Sequence, residues 1–254
     1  SIAGDLPNDG GFVRVVREDP VREGLLYCGT ETGVYYSLDE GAKWRPLRVN
    51  RPGLIADLRD PAGEVNGALP LVPVTDLVVK DDDLVASTQG RAFWILDDVT
   101  PLRQLDAAST AGAAWLFTPT PAYRFGGPAT GGVGSNPAPG AWIDYRLARE
   151  PREKEEVSLE FLDASGRLIR RFTNHGDTDE DAGPVAGDES ARRGPDAPNK
   201  LPVKVGLDRF VWDLRYPPAK KFKGLILWGD GSQGPMVVPG DYQVRLTAFG
   251  LTQT

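Results

Sequence analysis

Carboxylates clustered in loops are the side chains of this chain whose types and spacing can do chemistry. Asp57, Asp60 and Glu64 lie close together in one polar stretch, and Asp97 and Asp98 are adjacent in another. Hydrolysis of a glycosidic bond needs two carboxyl groups roughly 5 to 10 Å apart across a sugar, one as acid and one as base or nucleophile. Asp57, Asp60 and Asp98 are therefore the candidate catalytic groups. The same acidic loop residues are also what the surface of a chain of pI near 4.9 displays. Binding an acidic sugar would further require converging arginines. Arg14, Arg22, Arg51, Arg59 and Arg91 are present, but their spacing gives no reason for any three to converge.

Other chemistries find little material. The chain has one histidine, His175, and no G-x-S-x-G turn, so it reads as an exposed side chain and not as the base of a Ser-His-acid site. The single cysteine, Cys28, sits in the apolar run Leu25-Leu26-Tyr27-Cys28 and reads as a small buried hydrophobe. For a metal, Asp177, Asp179 and Asp181 fall at positions 1, 3 and 5 of a calcium-type loop. Position 6 is Ala182 where such a loop turns on Gly, and position 12 is Asp188 where it uses Glu. The run reads as a solvated acidic stretch, with Ca²⁺ the one cofactor its pattern allows and otherwise none.

The elements that must position these residues are strands. Thirty Gly and 22 Pro among 254 residues punctuate the chain too often for long helices, while six Trp, seven Tyr and nine Phe favour sheets. The expected class is all-β. A formal charge of -7 argues against a nucleic-acid partner. No apolar run reaches the roughly 20 residues that a membrane-spanning helix needs, and Ser1 does not open a signal-peptide pattern.

Residues 37 to 44 read Ser-Leu-Asp-Glu-Gly-Ala-Lys-Trp, a full S-x-D-x-G-x-x-W motif at the end of a strand-like run. Ser37 and Asp39 can accept backbone N–H groups of a tight turn, Gly41 can take positive φ, and Trp44 can return to the core. Asp39 thus reads as a structural residue and not a catalytic acid. Residues 12–47 also overlay residues 70–105 at a constant offset of 58: Leu26 to Thr30 matches Leu84 to Thr88, and Val34 to Asp39 matches Ala92 to Asp97. Each copy predicts three strands, with Arg45 to Val49 a fourth in the first. Residues 48–69 form a loop between the copies.

Residues 106–140 read as a linker, because nine of the fifteen residues from Gly126 to Gly140 are Gly or Pro. Trp115, Phe117, Tyr123 and Phe125 imply that its first half packs along a domain surface. From Ala141 onward, alternating runs predict six or seven short strands, with Trp142 and Trp212 as core residues and residues 173–202 as a polar insertion.

The S-x-D-x-G-x-x-W motif of Ser37, Asp39, Gly41 and Trp44 resembles the Asp-box signature, and Val74 to Leu77 followed by the phrase from Asp83 to Asp98 resembles the last blade of large bacterial sortilin-like Asp-box propeller proteins. Phe210 to Tyr216 and Pro239 to Tyr242 resemble the immunoglobulin-like domain, similar to that of flagellar hook-capping proteins, which follows such propellers. The resemblance implies two propeller blades over residues 1–105 and an immunoglobulin-like sandwich over 141–254. It implies a non-catalytic scaffold that binds protein or carbohydrate in a larger exported protein, extracellular or periplasmic. Its partners would be the missing blades or other protein subunits. The alternatives are part of a glycoside hydrolase, sialidase- or xyloglucanase-like, and an accessory subunit of a larger assembly.

Overall fold

A computed structural model describes residues 5–6, 11–47, 49–51, 54–55, 69, 71–123, 139–177, 200–218 and 234–254. The chain is mostly β-strand in antiparallel sheets, with two five-residue helices among the described residues. It divides into two compact units, residues 1–110 and 111–254.

In the first unit, β1 (Val13–Glu18), β2 (Leu26–Thr30), β3 (Val34–Ser37) and β4 (Arg45–Pro46) form a four-stranded sheet in that order. A two-stranded pair, β5 (Val49–Arg51) and β6 (Leu54–Ile55), follows within the stretch expected to be loop. Then β7 (Val74–Lys80), β8 (Asp83–Thr88) and β9 (Phe93–Leu96) form a three-stranded sheet. The β7–β8 turn is two residues, Asp81 and Asp82, with Asp81 at φ 55°.

The two sheets repeat one another in their hydrogen-bond register. Val13 pairs with Thr30 and, after a bulge, Val15 pairs with Gly29. In the second sheet Val74 pairs with Thr88 and, after a bulge, Asp76 pairs with Ser87. The repeat is therefore spaced by 61 residues on its first strand (13 to 74) and by 58 on its second (30 to 88). On the third strand the spacing is 59, because Leu26 pairs with Ser37 and its mate Leu84 with Leu96. The constant offset of 58 is corrected accordingly: seven residues join β1 to β2 between Glu18 and Leu26, but only four lie between Val79 and Leu84 at the matching pair.

One apolar core joins the sheets. The first contributes Tyr27, Val34 and Tyr36, and the second Leu77, Leu84, Ala86 and Leu96. Alternation puts these on a single face of each sheet. The mate of Tyr27 is Val85 and the mate of Ala86 is Cys28, so the first sheet meets the second with opposite faces of the same repeat. Gly29 marks a close approach, since a Cβ there would lie 2.7 Å from Val15 Cγ1 of its own sheet and 2.8 Å from Val74 Cγ1 of the other. Val99 and Leu102 complete the core from α1 (Thr100–Gln104) and the residue before it. Pro101 near the helix start suits this position, where a missing N–H costs no helical bond.

The helix α2 (Ala107–Ala111) spans the boundary, and the second unit holds β10 (Ala114–Leu116), β11 (Ala141–Leu147), β12 (Ser158–Asp163), β13 (Leu168–Thr173), β14 (Gly176–Asp177), β15 (Gly206–Trp212), β16 (Tyr242–Ala248) and β17 (Leu251–Gln253). One sheet runs β10-β11-β15 and the other β14-β13-β12-β16-β17. Their shared core includes Ile143, Tyr145 and Trp212 from the first, with Phe161, Phe172 and Leu246 from the second. Phe161 stacks on Trp212 at 4.5 Å between ring centroids, a geometry worth about 0.5–1.5 kcal/mol beyond the area it buries.

Two expectations change here. Residues 114–116, read as linker, are a strand paired with β11. Trp142, read as core, lies on the opposite face from Ile143, Tyr145 and Leu147, where it pairs across strands with Val211. Period-two alternation gives the core to the odd-numbered residues of β11.

Candidate functional site

The turn after β3 is held by its own side chains. Ser37 Oγ donates to Asp39 Oδ1 at 2.8 Å and accepts the Gly41 N–H at 2.9 Å, while Asp39 Oδ1 accepts the Lys43 N–H at 2.8 Å. Gly41 has φ 87° and Trp44 is only 5% exposed. The Lys43 N–H, then the Ser37 hydroxyl, hold the Asp39 carboxyl below the usual aspartate range. The Ser37 hydroxyl and the Asp39 carboxylate are thus both used to shape the chain.

Asp98 is the repeat mate of Asp39 at the third-strand spacing of 59. It is 9% exposed, and its Oδ1 accepts both the N–H of Thr100, at 3.0 Å, and the Thr100 hydroxyl, so it fixes the entry to α1. Its backbone takes φ 62° and its N–H donates to Asp83 Oδ1 at 3.1 Å. Asp57, Asp60, Glu64 and Arg59 lie outside the described residues, as do Asp179 and Asp181, while Asp177 contributes backbone to β14. Among the described residues no group of three or more His, Cys, Asp or Glu is arranged to hold a metal ion.

The arginines go to separate partners: Arg14 pairs with Glu31, Arg22 donates to the Leu102 carbonyl at 2.6 Å, and Arg91 is exposed in the β8–β9 turn. His175 is exposed. Cys28 is fully buried, which pushes its thiol up to about 11 and keeps it protonated at neutral pH.

Two buried ion pairs carried no local sequence signal. Asp19, 3% exposed, receives Arg103 Nε on both carboxylate oxygens at 3.0 Å and the N–H groups of Val21 and Arg22 at 2.9 Å. The Tyr27 hydroxyl donates to Asp19 at 3.2 Å, and burial, then the Asp19 charge, push that phenol far above its ordinary range. Arg103 also reaches Asp82 and the Asp81 carbonyl, tying α1 to a turn of each sheet. In the second unit Asp144 and Arg209 form a two-pronged pair at 2.8 and 2.9 Å, directly opposed on β11 and β15. The Arg209 guanidinium lies 4.3 Å from the Trp142 ring centroid.

The second unit also contains an open cavity of about 840 Å³. Ile143 and Trp212 line it, residues 116–123 run along it, and Val238 and Tyr242 also border it. Tyr123 and Val238 are largely exposed, and the Tyr242 hydroxyl donates to the Val238 carbonyl. Aromatic and apolar walls of this kind suit a sugar ring or an extended peptide. Asp241 is the one acidic side chain among the described lining residues.

No family model, curated protein or solved structure matches this chain. No helix among the described residues is long and apolar enough to cross a membrane.

Proposed function

We propose that this chain is a non-catalytic binding scaffold of a larger exported protein. In this reading the two sheets of residues 1–105 are blades of a β-propeller and residues 141–254 an immunoglobulin-like sandwich whose end cavity takes a peptide or glycan. One observation carries the reading: the same bulge and strand register recur in two sheets that pack through opposite faces of one repeat, the relation that successive blades bear to one another. The structural engagement of Asp39 and Asp98 supports the non-catalytic part.

The test uses the intact chain on polysaccharide and sialoside substrates and on immobilised glycans. The expected result is no sugar release, with saturable retention on a glycan surface that falls at least tenfold in Val238→Asp. Sugar release that disappears in Asp57→Asn or Asp98→Asn overturns the scaffold. Retention that Val238→Asp leaves unchanged removes the cavity from it.

A further inference from the structure

The first sheet ends on a guarded edge and the second does not. The edge strand β4 is Arg45-Pro46, a charge and a residue without an N–H, both of which discourage another strand from adding. It pairs with Tyr36 and Tyr35. Their mates at the spacing of 59 are Ile95 and Trp94 of β9, but the mates of Arg45 and Pro46, Gln104 and Leu105, lie at the end of α1 and its C-cap. Among the described residues β9 is therefore paired only by β8. Its sequence, Phe93-Trp94-Ile95-Leu96, contains no charge and no proline, and the β8–β9 register has no bulge.

The same edge carries an exposed apolar face. Phe93 is 74% and Ile95 59% exposed, and Val78 on β7 is also exposed. Their first-sheet counterparts Val34 and Tyr36 are buried against the second sheet. The repeat thus places large apolar side chains on a face that no described residue of this unit covers.

We propose that β9 is a self-association edge that pairs antiparallel with β9 of a second copy of this chain, about a two-fold axis through Trp94. The sequence around that residue is complementary to itself when reversed. Phe93 falls opposite Ile95 of the second copy on the exposed face, and Arg91, in the turn before one strand, lies at the same end of the contact as Asp97, just past the other. The pairing merges two three-stranded sheets into one of six strands and places opposite charges at both ends of the contact. Arg91 sits just before Ala92, whose φ is 59°, and Trp94 Nε1 donates to the Arg91 carbonyl at 2.9 Å, so the turn that presents the guanidinium is fixed. A two-fold antiparallel contact closes on itself, so it yields a dimer and not a fibre. The edge is short, which puts the interface in the size class below about 1,200 Å² where association is weak and reversible. This inference rests on the β9 edge and its exposed face; in the propeller reading a further blade would pack on that face, so the test is made on this chain by itself.

The experiment is sedimentation equilibrium of the full chain up to about 1 mM, the range a weak contact requires. The expected result is a mass rising from 27.5 kDa toward its double. Phe93→Lys and Ile95→Lys, at exposed positions, remain monomeric. Arg91→Asp weakens the dimer at least tenfold, and Arg91→Asp with Asp97→Arg restores it. As a second measurement, Phe93→Cys and Ile95→Cys chains are mixed under oxidation. Because Cys28 is buried, they form the mixed disulfide in preference to either homodimeric one. A monomer throughout overturns the proposal and leaves the edge to a strand of another polypeptide. A dimer indifferent to Phe93→Lys overturns it equally, and failure of both the charge swap and the mixed disulfide overturns the register.

Discussion

The two sheets of residues 1–110 share a register and a bulge but are finished differently. The first closes with a side-chain-locked turn, Trp44 packed inward and a short guarded strand. The second, at the mate of Asp39, turns into a helix whose entry Asp98 fixes. Hydrogen-bond register is thus retained where the sheets face one another, while the sequence beyond the third strand has taken two routes. The pair Asp19–Arg103 joins those routes, since Arg103 comes from the helix and its partners come from the first turn of each sheet.

Removing that joint is the largest change the comparison predicts. Asp19→Ala leaves the Arg103 guanidinium buried without its main counter-charge and strands two backbone N–H groups and a phenol. Loss of one partner of a buried pair costs about 3 to 5 kcal/mol. Urea unfolding is expected to show a midpoint shift of that size. A loss below about 1 kcal/mol would mean that the helix docks on its apolar residues alone.

The next effect separates the sheets directly. Gly29 and Ser87 are repeat mates, but Gly29 sits against Val15 and Val74, whereas Ser87 Oγ lies 2.7 Å from the Thr75 hydroxyl. Gly29→Ser is expected to destabilise by about 1 to 3 kcal/mol through overpacking. The reverse replacement, Ser87→Gly, costs about 0.5 to 1 kcal/mol from backbone freedom in a strand. Equal costs in thermal unfolding would show that the close approach at Gly29 relaxes freely. Ser37→Ala follows at about 1 kcal/mol, the usual range for a buried hydroxyl that satisfies backbone donors. Leu96→Ala at the mated position tests cavity formation instead, and its cost of about 2 to 5 kcal/mol should track volume and not hydrogen bonding.

What the sequence made legible follows from how each feature is written in it. The all-β class and the turn at Ser37 depend on local residue types, and both could be read in advance. The second strand of the repeat was visible because Leu26 and Thr30 recur as Leu84 and Thr88. The bulge was not, because Val13 to Val15 and Val74 to Asp76 share no distinctive pattern, and unequal connections hid the true spacing. Asp19 and Arg103 are 84 residues apart and meet only through tertiary packing. Trp142 is legible from parity: its neighbours Ile143, Tyr145 and Leu147 occupy the core face of the strand, which leaves Trp142 the opposite one. Strand β10 was missed because three residues beside Gly- and Pro-rich sequence carry no pattern of their own.

The smallest expected effect is on acid stability, and it compares the turn at Ser37 with its analogue in the other unit. Asp39 accepts the N–H four residues on, and Asp163 does the same from Arg167 while also accepting the Ser165 hydroxyl. Both carboxyls are held below the usual aspartate range, Asp39 first by the Lys43 N–H and Asp163 first by the Ser165 hydroxyl. Glu155 is lowered to about 2, first by Arg149 and then by the Arg152 N–H. A carboxyl whose folded value lies below its unfolded one stabilises the fold above the unfolded value and loses that contribution as pH falls through the folded one. The window therefore opens below the ordinary carboxylate value, 4.5 for Glu155, and for that residue closes near pH 2. Unfolding midpoints measured across this window should fall less steeply in Asp39→Asn and Glu155→Gln than in the parent, each relative to its own value at neutral pH. Because Asp39 is exposed and Glu155 partly so, solvent and salt screen the contribution, and added salt should flatten the Glu155 difference most, since it alone depends chiefly on a paired cation. A parent and variants with parallel pH profiles would show instead that the hydrogen bonds of these turns persist in the unfolded chain.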